Sequence, residues 1–160
     1  MHSIFIEGRD GCFKSTLAKE LLTYFPYGIY SVGGPPADDE TAITYCSKQR
    51  AISRTESVIF DRLTAFSRLC YEPNLSEEHK DNLVGWLDTT LPNGILIWCD
   101  TDKPKHEIET YDDTAHLHDI AHRAVSIHNK YVELMSFYDH IKYNGYNMSV
   151  EDLVEKIYEL

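Results

Sequence analysis

The stretch that most constrains this chain lies at its amino-terminal end. The apolar run "HSIFIE" is followed by "GRDGCFKSTLAKELL", in which Leu17, Leu21 and Leu22 recur at helical spacing. A buried strand therefore hands over to a helix through one short glycine-bearing loop. The rest of the chain repeats that alternation. "GIYSV", "SVIFD", "GILIWCD" and "HIKYN" read as further strands. Helical patterns cover about Asp39–Arg54, the segment "RLTAFSRLCY", roughly Ser76–Leu91, Thr114–Ser136 and the closing "SVEDLVEKIYEL", where Ser149 and Asp152 make a capping-box-like start. Strands alternating with helices imply right-handed crossovers. The expected class is α/β, a parallel sheet of about five strands with helices on both faces. At 160 residues the chain has the length of a single domain, 1–160. In such folds ligands sit at the carboxyl ends of the strands.

The opening loop falls at such an end. Gly8 to Ser15 reads G-R-D-G-C-F-K-S, the spacing of G-x-x-x-x-G-K-[ST] with Phe13 in the place of the second glycine. Backbone N–H groups must converge on phosphate oxygens there, which needs tight turns, and the following helix offers its N-terminal dipole to the anion. The pattern points to a P-loop NTPase fold binding ATP along Gly8, Gly11, Cys12, Phe13, Lys14, Ser15 and Thr16. Lys14 serves the β- and γ-phosphates from a solvent-facing helix end, and Ser15 supplies a hydroxyl for Mg²⁺. Phe13 is the exception, because a bulky residue at positive φ is strained.

Charge narrows the partners. The formal net charge is −11, which argues against broad binding of nucleic acid or of anionic membranes. A small anion in a local basic pocket fits better. Arg9, Arg50, Arg54, Arg62 and Arg68 all lie in the first 68 residues, and arginine suits bidentate phosphate recognition. The four cysteines lack metal spacing and read as free thiols. No apolar run is long enough for a membrane span and no secretory signal is visible, so the expected location is cytoplasmic.

Several segments together resemble one family. "FIEGRDGCFKST" resembles the phosphate loop of thymidylate kinases, E-G-x-D-x-x-G-K-[ST]-T. "VIFDRLTAFSRLCY" resembles their D-R-Y segment and the serine-bearing helix after it, here carrying Ser67. "LVGWLDTTLPNGILIWCDTD" and "AHRAVSIHNKYVELM" resemble the fourth-strand region and the long helix behind the lid. The resemblance implies phosphorylation of a deoxynucleoside monophosphate by ATP, dTMP to dTDP. Asp10 would recognise the deoxyribose 3′-hydroxyl, Asp61 would act near Mg²⁺, and Arg62 would contact the acceptor phosphate. Arg50 would hydrogen-bond the base and Tyr45 offer it an aromatic face, although the family's phenylalanine falls at Cys46. The resemblance also implies a short lid at about 101–113 and a homodimer. Compact members encoded by viruses make a phage origin a natural expectation.

Two departures stand out. "SVGGPP" lacks the family's acceptor-loop arginine, and the lid segment offers only Lys103 and Lys105 as cations. Arginines near a transferring phosphoryl group are worth orders of magnitude in rate, so Arg9 is the candidate substitute, with Arg54 and Arg68 behind it. Alternatives to the monophosphate kinase are a deoxynucleoside kinase of related fold and a nucleotide-binding protein with little turnover. His116, His118 and His122 lie close in sequence but read as a solvated helix face, and Tyr131 reads as core.

Overall fold

The structure, a computed structural model, describes residues 2–102 and 123–160. Most of the expected lid lies outside the described residues. So do Lys103, Lys105, His116, His118, His122 and the first turns of the helix expected from Thr114.

Five strands form one parallel sheet: β1 (Ser3–Glu7), β2 (Gly28–Ser31), β3 (Val58–Asp61), β4 (Gly94–Cys99) and β5 (Ile141–Tyr143). Their order is β2-β3-β1-β4-β5. Ile4 pairs with Ile59 on one side and Ile95 on the other, so β1 is central. The helices are α1 (Lys14–Leu21), α2 (Asp39–Thr55), α3 (Thr64–Tyr71), α4 (Glu77–Thr90), α5 (Ala124–Met135) and α6 (Val150–Tyr158), with a 3₁₀ turn at Leu91–Asn93. Among the described residues no helix is long and apolar enough to cross a membrane.

Strand alternation divides the core into two layers. Ile4, Ile6, Ile59, Ile97 and Cys99 face α1 and α6. Phe5, Phe60, Leu96 and Trp98 face α2, α3, α4 and α5. Helices therefore cover both faces, as a wholly parallel sheet requires. The α/β expectation and the P-loop NTPase-like architecture hold.

Local chemistry sets the helix starts. Asp38 accepts from the Thr41 N–H (2.7 Å), Ser76 from the His79 N–H (3.1 Å) and Ser149 from the Asp152 N–H (3.1 Å). Helix α1 differs. Phe13 occupies its N-cap position with no side-chain hydrogen bond to the first turn. Its leading amides are left to whatever the loop holds.

Candidate functional site: a phosphate loop facing a paired aspartate and arginine

The loop after β1 departs from the sheet in close contact with β4. Gly8 has φ of 152°, and a Cβ there would lie 2.1 Å from the Cys99 carbonyl oxygen. Only glycine fits that approach. Gly11 follows at φ 80° and Phe13 at φ 64°, ψ 27°. The phenylalanine ring is half-buried. It meets Tyr146, in the loop after β5, edge-on at 5.4 Å between centroids.

Lys14 corrects one expectation. It is buried, 7% exposed, rather than solvent-facing. Its Nζ donates to the Arg9 carbonyl of its own loop at 2.6 Å. Burial first, and then the nearby Arg62 charge, lower its pKa to about 8. The ammonium is tucked under the loop where phosphates would lie, held by a single short bond.

Ser15 opens the exposed side of α1, and its Oγ donates to Asp61 Oδ2 at 2.9 Å. Asp61 ends β3, next to β1, so its carboxylate meets the hydroxyl presented by the first turn of α1. Oxygen donors of this kind suit Mg²⁺. The site thus passes a chemical test for a nucleotide–magnesium complex: uncapped helix amides, a cation beneath the loop, and two oxygen ligands at its edge. Thr16 is exposed beside them, and the Cys12 thiol is buried, which raises its pKa.

Arg62, the next residue, is the hub of the opposite side. Its guanidinium pairs with Asp10 (2.7 Å) and Glu7 (3.6 Å). It also donates to Ser67 Oγ (3.1 Å) and the Tyr131 hydroxyl (3.3 Å), and it lies 5.2 Å over the Tyr71 ring. The Tyr71 hydroxyl accepts from the Asp10 N–H at 2.9 Å. Glu7 is completely buried. It accepts from the Leu63 N–H (2.8 Å), Ser67 Oγ (2.8 Å) and the Tyr131 hydroxyl (2.9 Å). Burial pushes its carboxyl above the ordinary range, while Arg62 and these donors pull it back.

The fold thus brings together Asp10, Lys14, Ser15, Asp61, Arg62 and Ser67 around one loop. Arg9 is drawn elsewhere. Its Nε lies 3.3 Å from Asp100 and its guanidinium donates to the Thr101 carbonyl, over the end of β4. Arg50 is not brought to the cluster. It stacks 4.2 Å over Trp86 and reaches Thr89. Tyr45 is half-buried on α2 and Cys46 is buried. Arg68 is buried between the Pro36 carbonyl, Asp39 and His79, a strut holding the loop after β2. Arg54 is exposed in the last turn of α2, before the amino end of β3.

Glu7, Tyr71 and Tyr131 join this cluster, and Gln49 touches the Arg62 carbonyl, with no site role for any of them in the sequence pattern. Glu7 had a visible signal, a carboxylate closing an otherwise apolar strand. Tyr131 was expected in the core, and it is there, with its hydroxyl on the site. Gln49 had none.

Together the topology and the loop define an α/β fold of the P-loop NTPase type. No protein-family model matches the chain, and no curated protein sequence matches it. Solved structures do. The chain is similar to the YorR protein of Bacillus subtilis, solved in complex with phosphorylated GDP, at 19% identity and a TM-score of 0.65, over 98% of this chain and 93% of that one. It is similar to deoxyadenosine kinase from M. mycoides with bound dCTP, at 16% identity and a TM-score of 0.66, over 99% and 100% of the two chains. Thymidylate kinase from Ehrlichia chaffeensis matches at 13% identity and a TM-score of 0.61, over 99% and 98%. At these identities the likeness establishes the shared fold.

Proposed function

We propose that this protein transfers the γ-phosphoryl group of ATP to a deoxynucleoside monophosphate, with dTMP as the favoured acceptor. The observation that carries the reading is the Ser15–Asp61 contact in front of α1, with Arg62 following directly at the end of the same strand. Gly8 and Gly11 shape the loop, and the α1 amides receive the donor phosphates. Lys14 exchanges its bond to the Arg9 carbonyl for phosphate oxygens. Ser15 and Asp61 hold Mg²⁺, which when bound neutralises charge on the β- and γ-phosphates.

Arg62 and Asp10 face the acceptor. An oxygen of the acceptor phosphate attacks the γ-phosphorus, the bond from the γ-phosphorus to the β,γ-bridging oxygen breaks, and ADP leaves. The attacking oxygen is already ionised at neutral pH, so the chain has no proton to remove. This fits its carboxylates. A neutral hydroxyl acceptor would need a free base after β2, but residues 32–36 read Val-Gly-Gly-Pro-Pro. The next carboxylates are engaged: Asp38 caps α2 and Asp39 pairs with Arg68.

A phosphoryl-transfer screen of every nucleoside and deoxynucleoside monophosphate, with ATP and Mg²⁺, tests the reading. Fastest transfer to dTMP is expected. Transfer to deoxynucleosides but to no monophosphate would replace it with a deoxynucleoside kinase. ATP binding without transfer to either would leave a nucleotide-binding protein.

A further inference from the structure

Among the described residues, only two that are not glycine have positive φ, Phe13 and Arg62. Arg62 stands at φ 79°, a conformation that strains a long side chain. The bend has a geometric result. Successive side chains of an extended strand point to opposite faces. Here Asp61 and Arg62 both reach the phosphate loop, one to Ser15 and the other to Asp10.

Two side chains hold the backbone around this bend. Gln49, on α2 and 1% exposed, bridges it: its Nε2 donates to the Arg62 carbonyl (3.4 Å) and its Oε1 accepts from the Thr64 N–H (3.0 Å). Glu7 accepts from the Leu63 N–H between them. The Arg62 N–H continues the sheet by donating to the Ile6 carbonyl (3.0 Å). The polar atoms of the Gln49 side chain are thus spent on this backbone.

We propose that Gln49, with Glu7, is a positioning residue: it enforces the left-handed bend at Arg62 and so aims the guanidinium at the acceptor phosphate. Only the acceptor in this statement rests on the phosphotransfer reading; the control of the bend does not. The two are tested separately.

The first arm is a crystal structure of Gln49→Leu. With both bonds removed, Arg62 is expected to leave the left-handed region and its guanidinium to leave Asp10. An unchanged bend and an intact Arg62–Asp10 pair would overturn the proposal, whatever the protein phosphorylates. Gln49→Glu, which keeps the acceptor for the Thr64 N–H but not the donor to Arg62, is made alongside. It supplies the same measurement if the leucine variant does not fold. The second arm is calorimetric titration with dTMP and with ATP. Gln49→Leu is expected to weaken dTMP at least about tenfold while ATP stays within about twofold. In an Arg62→Ala background the same change should alter dTMP affinity by less than about twofold, because the residues act as one unit. A further tenfold loss in that background would show that Gln49 acts without Arg62, and would overturn the proposal. Failure of the wild-type protein to bind any monophosphate would count against the proposed function and against the aim toward an acceptor phosphate, leaving the bend to the first arm.

Discussion

The ring of Phe13 lies edge-on against Tyr146, with the planes at 85°. The contact gives the ring a place outside the loop, at the position where the G-x-x-x-x-G-K-[ST] spacing has its second glycine. The main chain adopts the left-handed turn that the glycine would have made, and the side chain is taken up by the loop after β5. Strain of about 1–3 kcal/mol is offset in part by an aromatic contact of about 0.5–1.5 kcal/mol. Phe13→Gly is therefore expected to keep ATP affinity and turnover within about tenfold, the reach of about 1.4 kcal/mol. Restored ATP binding in Phe13→Gly, against none in the wild type, would mean that the phenylalanine disables the loop.

Lys14→Met should lower turnover by at least about two orders of magnitude, the scale of a major electrostatic contact to the transferring group. The fold should survive, since the replaced ammonium is buried and its one hydrogen bond is to a loop carbonyl. Steady-state kinetics and circular dichroism check the two halves. Near-normal turnover would remove Lys14 from the phosphate site.

The depressed Lys14 pKa gives a signature in pH. Between about 8 and the ordinary 10.5 the folded protein has released a proton that the unfolded chain still holds. This group's contribution to stability therefore rises with pH through that window, and it is lost as pH falls to about 8. ATP phosphates would raise the pKa again, so binding at pH 8.5 should take up a proton. Calorimetry in buffers of different ionisation enthalpy would show it in the wild type and not in Lys14→Met.

Arg62→Ala should weaken dTMP far more than ATP. It should also destabilise the fold by about 3–5 kcal/mol, because it strips a buried carboxylate of its ionic partner. Chemical denaturation and paired titrations separate the effects. Equal loss of both ligands would place Arg62 on the donor side or in a purely structural role.

Asp61→Asn keeps the shape of the Ser15 contact and removes its charge. ATP affinity in the presence of Mg²⁺ should fall about tenfold or more, while affinity in EDTA changes little. Loss of equal size in both conditions would show that Asp61 does not serve the metal.

The sheet was legible because each strand is a short apolar run bounded by turn residues, and because the helices carry their caps in plain view at Asp38, Ser76 and Ser149. The loop between β1 and α1 was legible because its glycines and its place between a strand and a helix fix its shape. What escaped is what depends on the third dimension. Lys14 reads as a surface lysine at a helix start, yet the loop folds over it. Arg50 lies over Trp86 of α4, a contact between remote segments that no spacing announces. Gln49 and Arg62 are brought together by packing of α2 over the end of β3, and no periodicity announces a glutamine that bonds to main chain.

The central strand has a consequence for how the molecule assembles. Ser3 pairs with Gly94, and Ile4 with Ile59, so β1 is flanked by strands remote from it in sequence. Each pairing closes a long loop before any contact rewards it, which makes parallel sheets of this kind slow to fold. The phosphate loop leaves β1 against the end of β4, where Gly8 touches Cys99. A chain emerging from the ribosome makes that loop well before β4, and cannot set the loop against β4 until that strand has followed. A phosphate-bearing ligand of that loop would meet only the late, closed form, and would work as a latch on completed folding rather than as a seed for it.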